Sequence, residues 1–290
     1  LTLSCCDRAG ITARVTGYLF ENGGNILEAQ QFNDQDDGQF FMRVSFISEE
    51  GTAQTAIDKG FVAVAERFGM NWNLYDAAKR EKVLLMVSRF GHCLNDILFR
   101  QRSGQLPVEI PSVFGNHSDL ASLAEFYSVP FEEHSIKSDA DKREFEAMLR
   151  GFINAHDIEL IVLARYMQVL SDDMCKKMSG KIINIHHSFL PSFKGANPYK
   201  QAFERGVKLI GATAHYVTAD LDEGPIIEQD VARITHAQSA DDYVSIGRDV
   251  ESQVLARAIH AHIHHRTFIN GNRTVVFPAS PGSYASERMG

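Results

Sequence analysis

Apolar and polar positions follow two different rhythms along this chain, and the change of rhythm divides it. Residues 1–5 read as a short strand. Ile11, Val15, Tyr18 and Leu19 then fall at helical spacing and predict a helix over 11–20. Asp7-Arg8-Ala9-Gly10 is turn chemistry before it, with Asp7 placed to cap the helix. Asn22-Gly23-Gly24-Asn25 ends it, a glycine supplying the left-handed residue. Residues 26–32 form a strand, 33–38 a turn and 40–47 a second strand. In that second strand Phe41, Arg43 and Ser45 alternate with Met42, Val44 and Phe46. A helix over 52–68 and a strand over 70–75 complete the order β-α-β-β-α-β, which is ferredoxin-like.

A short charged stretch near Asp76 and Glu81 predicts a division into residues 1–76, a linker over 77–82, and a second domain over 83–290. Val83-Leu84-Leu85-Met86-Val87 opens the second pattern, in which continuous apolar runs alternate with helical segments. Strands are expected at 108–113, 130–133, 160–163, 181–185, 209–217, 226–234 and 274–277. Helices are expected at 93–102, 119–126, 139–155, 172–178 and 244–260. Runs apolar throughout and separated by helices indicate a mostly parallel sheet covered on both faces, a Rossmann-like α/β domain. The segment 279–290 reads as a mobile tail. No repeat or low-complexity segment interrupts the pattern.

Composition adds exclusions. The 290 residues are 44% hydrophobic and 23% charged, ordinary for a globular chain of about two domains. No apolar run approaches the roughly 18 residues of a membrane span, and Leu1-Thr2-Leu3-Ser4 lacks both an initiator Met and a signal pattern. A net charge of −8 argues against a nucleic-acid surface. Cys5, Cys6, Cys93 and Cys175 form no CxxC, so reduced thiols and a cytoplasmic location are expected.

The chemistry concentrates between Asn184 and Asp222. Asn184-Ile185-His186-His187-Ser188-Phe189-Leu190-Pro191 follows one strand, Gly211-Ala212-Thr213-Ala214-His215-Tyr216-Val217 is the next, and Asp220-Leu221-Asp222-Glu223-Gly224-Pro225 is the turn after it. In open α/β sheets ligands bind beyond the carboxyl ends of strands. The i, i+2 spacing puts Asn184 and His186 on one face of an extended segment. A carboxamide, an imidazole and a carboxylate together suit attack on a carbonyl carbon. Asn184 can donate to a developing oxyanion, typically worth roughly 3 kcal/mol. His186 can act as an acid or cation at the same oxygen, while Asp222 can orient it or take a proton. Which of the two is the formal base stays open in the sequence.

From Asn184 to Gln229 the chain resembles the folate-dependent formyltransferase family. The residues carrying the likeness are Asn184 and His186, the loop Ser188 to Pro191, His215, and Asp222 seven residues on. The resemblance implies a catalytic trio of Asn184, His186 and Asp222, with His215 supporting. It extends to Leu163-Ala164-Arg165-Tyr166-Met167-Gln168-Val169-Leu170-Ser171, and implies that Met167, Gln168, Val169 and Leu170 hold the pterin, largely through backbone groups. Asp7-Arg8-Ala9-Gly10-Ile11 and Gly24-Asn25-Ile26 resemble the ACT regulatory module. That likeness implies a small amino-acid effector at Asp7, Gly10 and Asn25, and a homo-oligomer.

An ACT module followed by a formyltransferase-like domain is the arrangement of formyltetrahydrofolate deformylases, and His187 and Lys194-Gly195-Ala196-Asn197-Pro198-Tyr199 also look like theirs. The resemblance implies hydrolysis of 10-formyltetrahydrofolate to tetrahydrofolate and formate. It implies no metal and no cofactor besides the folate substrate, and a role in balancing one-carbon folate pools and supplying formate for purine synthesis. Ser88-Arg89-Phe90-Gly91-His92-Cys93-Leu94 bears on the acceptor. One glycine beside bulky Phe90 and His92 makes a poor phosphate cradle, which favours water over formyl transfer to an amine. Three other readings compete: a metal hydrolase using His186-His187 or the histidines from His260 to His265, a Cys93 nucleophile, and a catalytically dead sensor. The histidines near the end of the last long helix read as cations at the negative end of its dipole.

Overall fold

The computed structural model describes residues 1–48, 54–190 and 198–279. Contacts divide the chain into two units. One comprises Leu1–Lys79 with His264–Phe268 and Val275–Pro278, and the other is built from Arg80–Ile263 and Ile269–Thr274.

In the first unit β1 (Thr2–Cys6), α1 (Ile11–Glu21), β2 (Gly24–Asp34), β3 (Gln39–Ser48), α2 (Gln54–Phe68) and β4 (Asn71–Asn73) follow the expected order, and the antiparallel sheet runs β2-β3-β1-β4. Alternation does its work here: Cys5 is buried and Cys6 exposed. Val15, Leu19, Ile57 and Phe61 from the helices close over Leu3, Met42 and Val44 of the sheet. Phe61 lies edge-on to both Tyr18 and Trp72, at 5.5 and 4.8 Å between ring centroids. The expected Asp7 cap is absent. Gly10 occupies the N-cap of α1 at φ 92° with no side-chain cap, while the Asp7 amide bonds the Gly38 carbonyl and keeps that residue with the strands. The start of the 52–68 helix falls outside the described residues.

The last residues also enter this unit. Arg266, 6% exposed, bonds Glu28, Gln30 and the Pro278 carbonyl, and Glu28 also pairs with Arg43 at 2.5 Å. Phe268 packs edge-on against Phe41. Sequence periodicity expected one terminal strand; the structure has a hairpin, β13 (Thr267–Asn270) and β14 (Arg273–Val276), numbered here as the final strands of the chain.

The second unit begins with β5 (Glu81–Val87), α3 (His92–Arg102), β6 (Val108–Glu109) and β7 (Val113–Gly115). The expected strand over 108–113 is broken in two, since Pro111 between the pieces has no amide for a ladder. Then come α4 (Ala121–Phe126) behind a single 3-10 turn, β8 (Phe131–Glu133), α5 (Asp139–His156), β9 (Leu160–Leu163), α6 (Asp172–Lys177) and β10 (Ile182–His186). The unit continues with α7 (Pro198–Glu204), which periodicity did not reveal, β11 (Leu209–Tyr216), β12 (Ile226–Arg233) and α8 (Ala240–Ile263).

The sheet order is β12-β11-β10-β9-β5-β7-β8, with β6 beside β5. Strands β8, β7, β5, β9 and β10 pair in parallel, whereas β11 and β12 run antiparallel at one edge. Every residue of Val83–Val87 and of β9 is buried, as a sheet covered on both faces requires. Among the described residues no helix is long and apolar enough to cross a membrane. The expected tail over 279–290 lies outside the described residues except Ala279.

The chain's single tryptophan, Trp72, touches Phe61, so its fluorescence reports the first unit. Phe61→Ala is expected to destabilise that unit by about 3–5 kcal/mol, lowering the urea midpoint of the Trp72 transition. An unchanged midpoint contradicts this packing.

Candidate active site

The parallel strands β9 and β10 end side by side, Leu163 opposite Asn184. Strand β10 runs one residue further than periodicity suggested, so His186 is its last residue. Its antiparallel neighbour places His215 directly across from Asn184 and Thr213 across from His186. The chain then turns through Asp222 and returns as β12. Asp222 takes up a left-handed backbone at φ 57°. Gly224 makes the return possible: a Cβ there would lie 1.7 Å from the Tyr216 carbonyl oxygen.

These elements close a cavity of about 260 Å³. Asn184, His186, His215 and Asp222 all line it, and so do Met167, Gln168, Val169 and Leu170, with Val217 to Leu221 on the remaining wall. All eight residues proposed from the sequence for catalysis and pterin binding therefore meet at one place. Met167 and Val169 stand exposed at 56% and 55%, while Leu170 belongs to the core. The loop 188–190 is pinned by Thr213, whose hydroxyl donates to the Ser188 carbonyl and accepts from the Leu190 amide and the Gln229 carboxamide. Pro191 and the segment from Lys194 to Asn197 fall outside the described residues.

The Asp222 carboxylate lies 3.2 Å from His186 Nδ1 and 3.7 Å from His215 Nε2. The hydrogen bond from His186 and, at longer range, His215 hold its carboxyl below the ordinary carboxylate range against the opposing effect of burial. His186 Nδ1 donates to Asp222, which directs attention to the other ring nitrogen. Nε2 is buried and has no hydrogen-bond partner among the described residues. His215 Nδ1 faces the Tyr216 carbonyl at 2.9 Å, so that nitrogen carries a proton; its Nε2 is 3.3 Å from the Asn184 carboxamide nitrogen. Asn184 keeps at least one N–H to donate into the cavity. The arrangement can polarise a carbonyl oxygen and accept a proton beside it.

Behind the cavity sits a buried polar group that the sequence did not reveal. Glu251 of α8, 1% exposed, accepts from His92 at 2.7 Å and Tyr199 at 2.6 Å, with Arg165 Nε 3.4 Å away. Burial acts to raise its carboxyl pKa, but the His92 hydrogen bond and the Arg165 charge outweigh that and leave it lowered. Phe90 is flanked by the guanidinium groups of Arg165 and Arg248, at 5.6 and 5.1 Å. Arg89 faces Asp119 and His117.

The rival chemistries meet this geometry directly. Cys93 is fully buried and its thiol is pushed well up, by burial first and by Glu251 second, which makes it a poor nucleophile. His187, adjacent to the trio, is held neutral at about 4 by burial and the Arg165 charge. The reading of the terminal histidines as cations fails for His262. It is half-buried, its pKa is lowered to about 4 by desolvation first and the Lys181 charge second, and its Nδ1 pairs with the Tyr216 hydroxyl. The one group of three potential metal ligands among the described residues is His92, Cys93 and Glu251, away from those histidines. Asp7, Gly10 and Asn25 are exposed in the first unit, on the β1–α1 turn and at the start of β2.

Comparison with known proteins agrees with this architecture. The family model described as formyl transferase matches residues 81–259. A formyltetrahydrofolate deformylase of Corynebacterium sp. is 48% identical, the match covering 95% of this chain and 96% of that protein. Its counterpart in Bacillus subtilis is 45% identical over 96% of this chain and 93% of its own length. The crystal structure of formyltetrahydrofolate deformylase from Burkholderia mallei superposes with a TM-score of 0.91 at 47% identity, covering 96% of this chain and 98% of that one. With fold and sequence shared across nearly its whole length, the chain belongs to the formyltetrahydrofolate deformylase family.

Proposed function

We propose that the protein hydrolyses 10-formyltetrahydrofolate to tetrahydrofolate and formate, with Asn184, His186 and Asp222 as its catalytic residues. The observation that carries this reading is their convergence on a single cavity, with an ionised Asp222 behind His186 and a buried imidazole nitrogen without a protein partner. The folate enters between the 167–170 loop and the Asp222 turn. The Asn184 carboxamide and, with both ring nitrogens protonated, the His186 Nε2–H polarise the formyl oxygen. A water held beside Asp222 attacks the formyl carbon and gives up a proton to the Asp222–His186 pair. The C–N10 bond then breaks as N10 takes the proton held by the Asp222–His186 pair, and the formic acid formed leaves and ionises to formate.

Water as acceptor is supported by the loop after β5. A phosphorylated amine substrate would need free amides or cations there. Instead His92 is committed to Glu251, Arg89 faces Asp119, and Phe90 is wedged between two arginines. The reaction uses no cofactor beyond the folate. The first unit, with Asp7, Gly10 and Asn25, takes a small amino-acid effector in a homo-oligomer, and the enzyme works in the cytoplasm to balance one-carbon folate pools.

Purified protein given 10-formyltetrahydrofolate in buffer alone is expected to release formate and tetrahydrofolate in equal amounts; absence of turnover without an amine acceptor sinks the hydrolase reading. Asp222→Asn is expected to lower kcat by about 10²–10⁴ while tetrahydrofolate binding, followed by fluorescence titration, stays within several-fold. Near wild-type kcat would remove Asp222 from its role. The lowered Asp222 pKa also fixes a sign in acid. An unfolded aspartate ionises at about 4, so the pairing stabilises the folded state fully above that pH and is lost as pH falls below it toward the lowered folded value. The melting-temperature gap between wild type and Asp222→Asn is therefore expected to shrink below about pH 4. A gap that holds or widens there contradicts the pairing.

A further inference from the structure

The cavity wall at residues 167–170 is irregular backbone, yet it begins and ends on buried polar side chains contributed by distant segments. At the entrance, the Ser88 hydroxyl, 3% exposed and just past β5, accepts from the Met167 amide at 2.9 Å. Next to it Arg165 holds a left-handed backbone at φ 65° and is 8% exposed, its guanidinium beside the Glu251 carboxylate. At the exit, Glu146 of α5, 4% exposed, accepts from both the amide and the hydroxyl of Ser171. Ser171 is also the N-cap of α6, its oxygen accepting from the Met174 amide. One hydroxyl thus donates to Glu146 and accepts from the helix, so the start of α6 and the end of the loop share one anchor.

A buried carboxylate costs free energy unless its oxygens are satisfied. Apart from Ser171, the neighbours that register its charge are Tyr166 and Cys175, whose phenol and thiol are pushed up mainly by their own burial and in part by Glu146. An ion spent on a loop terminus in this way fixes where the loop lies. Between the two anchors, Met167 and Val169 project into the open, as apolar side chains waiting for a planar apolar ligand would.

We infer that Ser88 and Glu146 are positioning residues for the folate: neither lines the cavity, and each fixes one end of the loop that does. The inference rests on the reading above that residues 167–170 hold the pterin. The clamp sets affinity rather than the chemical step, because the trio stands on β10 and the Asp222 turn, outside the clamped segment. Loss of one anchor leaves a loop that must be ordered again each time the ligand binds.

The test is steady-state kinetics of Ser88→Ala, Glu146→Gln and Ser171→Ala, with hydrogen exchange of the 165–171 peptide measured with and without tetrahydrofolate. Ser171→Ala breaks the same anchor as Glu146→Gln from its less buried side, so a poorly folding Glu146 variant does not end the test. Each variant is expected to raise KM about tenfold with kcat within about twofold, to speed exchange in the free loop, and to weaken tetrahydrofolate protection in parallel. Wild-type protection that persists unchanged in the variants, with wild-type KM, overturns the clamp and leaves the site reading standing. A wild-type loop that gains no protection from tetrahydrofolate overturns the site reading and the clamp with it. A fall in kcat with unchanged KM also counts against positioning.

Discussion

The reversal of β11 against β10 is the constraint on which the site depends. A sheet that stayed parallel would carry the chain away from the carboxyl ends of β9 and β10 through a crossover. The antiparallel return instead brings His215 across from Asn184 and lets the next turn reach back over the strand ends. That turn succeeds because the chain can pass within carbon-contact distance of the Tyr216 carbonyl, and only a residue without Cβ fits there. Gly224 is thus as much a part of the carboxylate's position as Asp222 itself. The ion pair with His186 follows from this route and does not create it.

The parts of the molecule that could be read from sequence are those where side-chain periodicity equals backbone periodicity. Buried runs such as 83–87 and 160–163 gave strands at once, and so did the alternation across Phe41 to Phe46. The proposed trio was legible because Asn184 and His186 share one face of a strand and because the family pattern pairs His215 with Asp222 seven residues on. What stayed hidden depended on partners far away. Glu251 reads as one more acid on a long helix until His92, Tyr199 and Arg165 are found around it. Glu146 sits in an acidic helix face and is distinguished only by Ser171. The Asp7 cap and the charged His262 were local inferences overruled by a turn glycine and by burial.

Two buried carboxylates, Glu251 and Glu146, lie outside the cavity lining, while a third, Asp222, lines it. Their surroundings separate them. Glu251 faces a guanidinium, an imidazole and a phenol, Glu146 an amide and a hydroxyl, and Asp222 two imidazoles. The roles proposed for them, bracing, anchoring and proton handling, follow from those neighbours.

The return of the last residues to the first unit has a consequence for how the chain is made. Arg266 completes the pairing of Glu28, and Phe268 packs on Phe41, more than two hundred residues after those partners are synthesised. The first unit leaves the ribosome early, with a buried-type acid answered by Arg43 but not yet by its second guanidinium. Its final contacts can form only after Arg80–Ile263, the bulk of the second unit, has been translated. In topological terms the stretch Arg80–Ile263 is inserted within the first unit, and the order of synthesis is not the order in which the folded parts are finished.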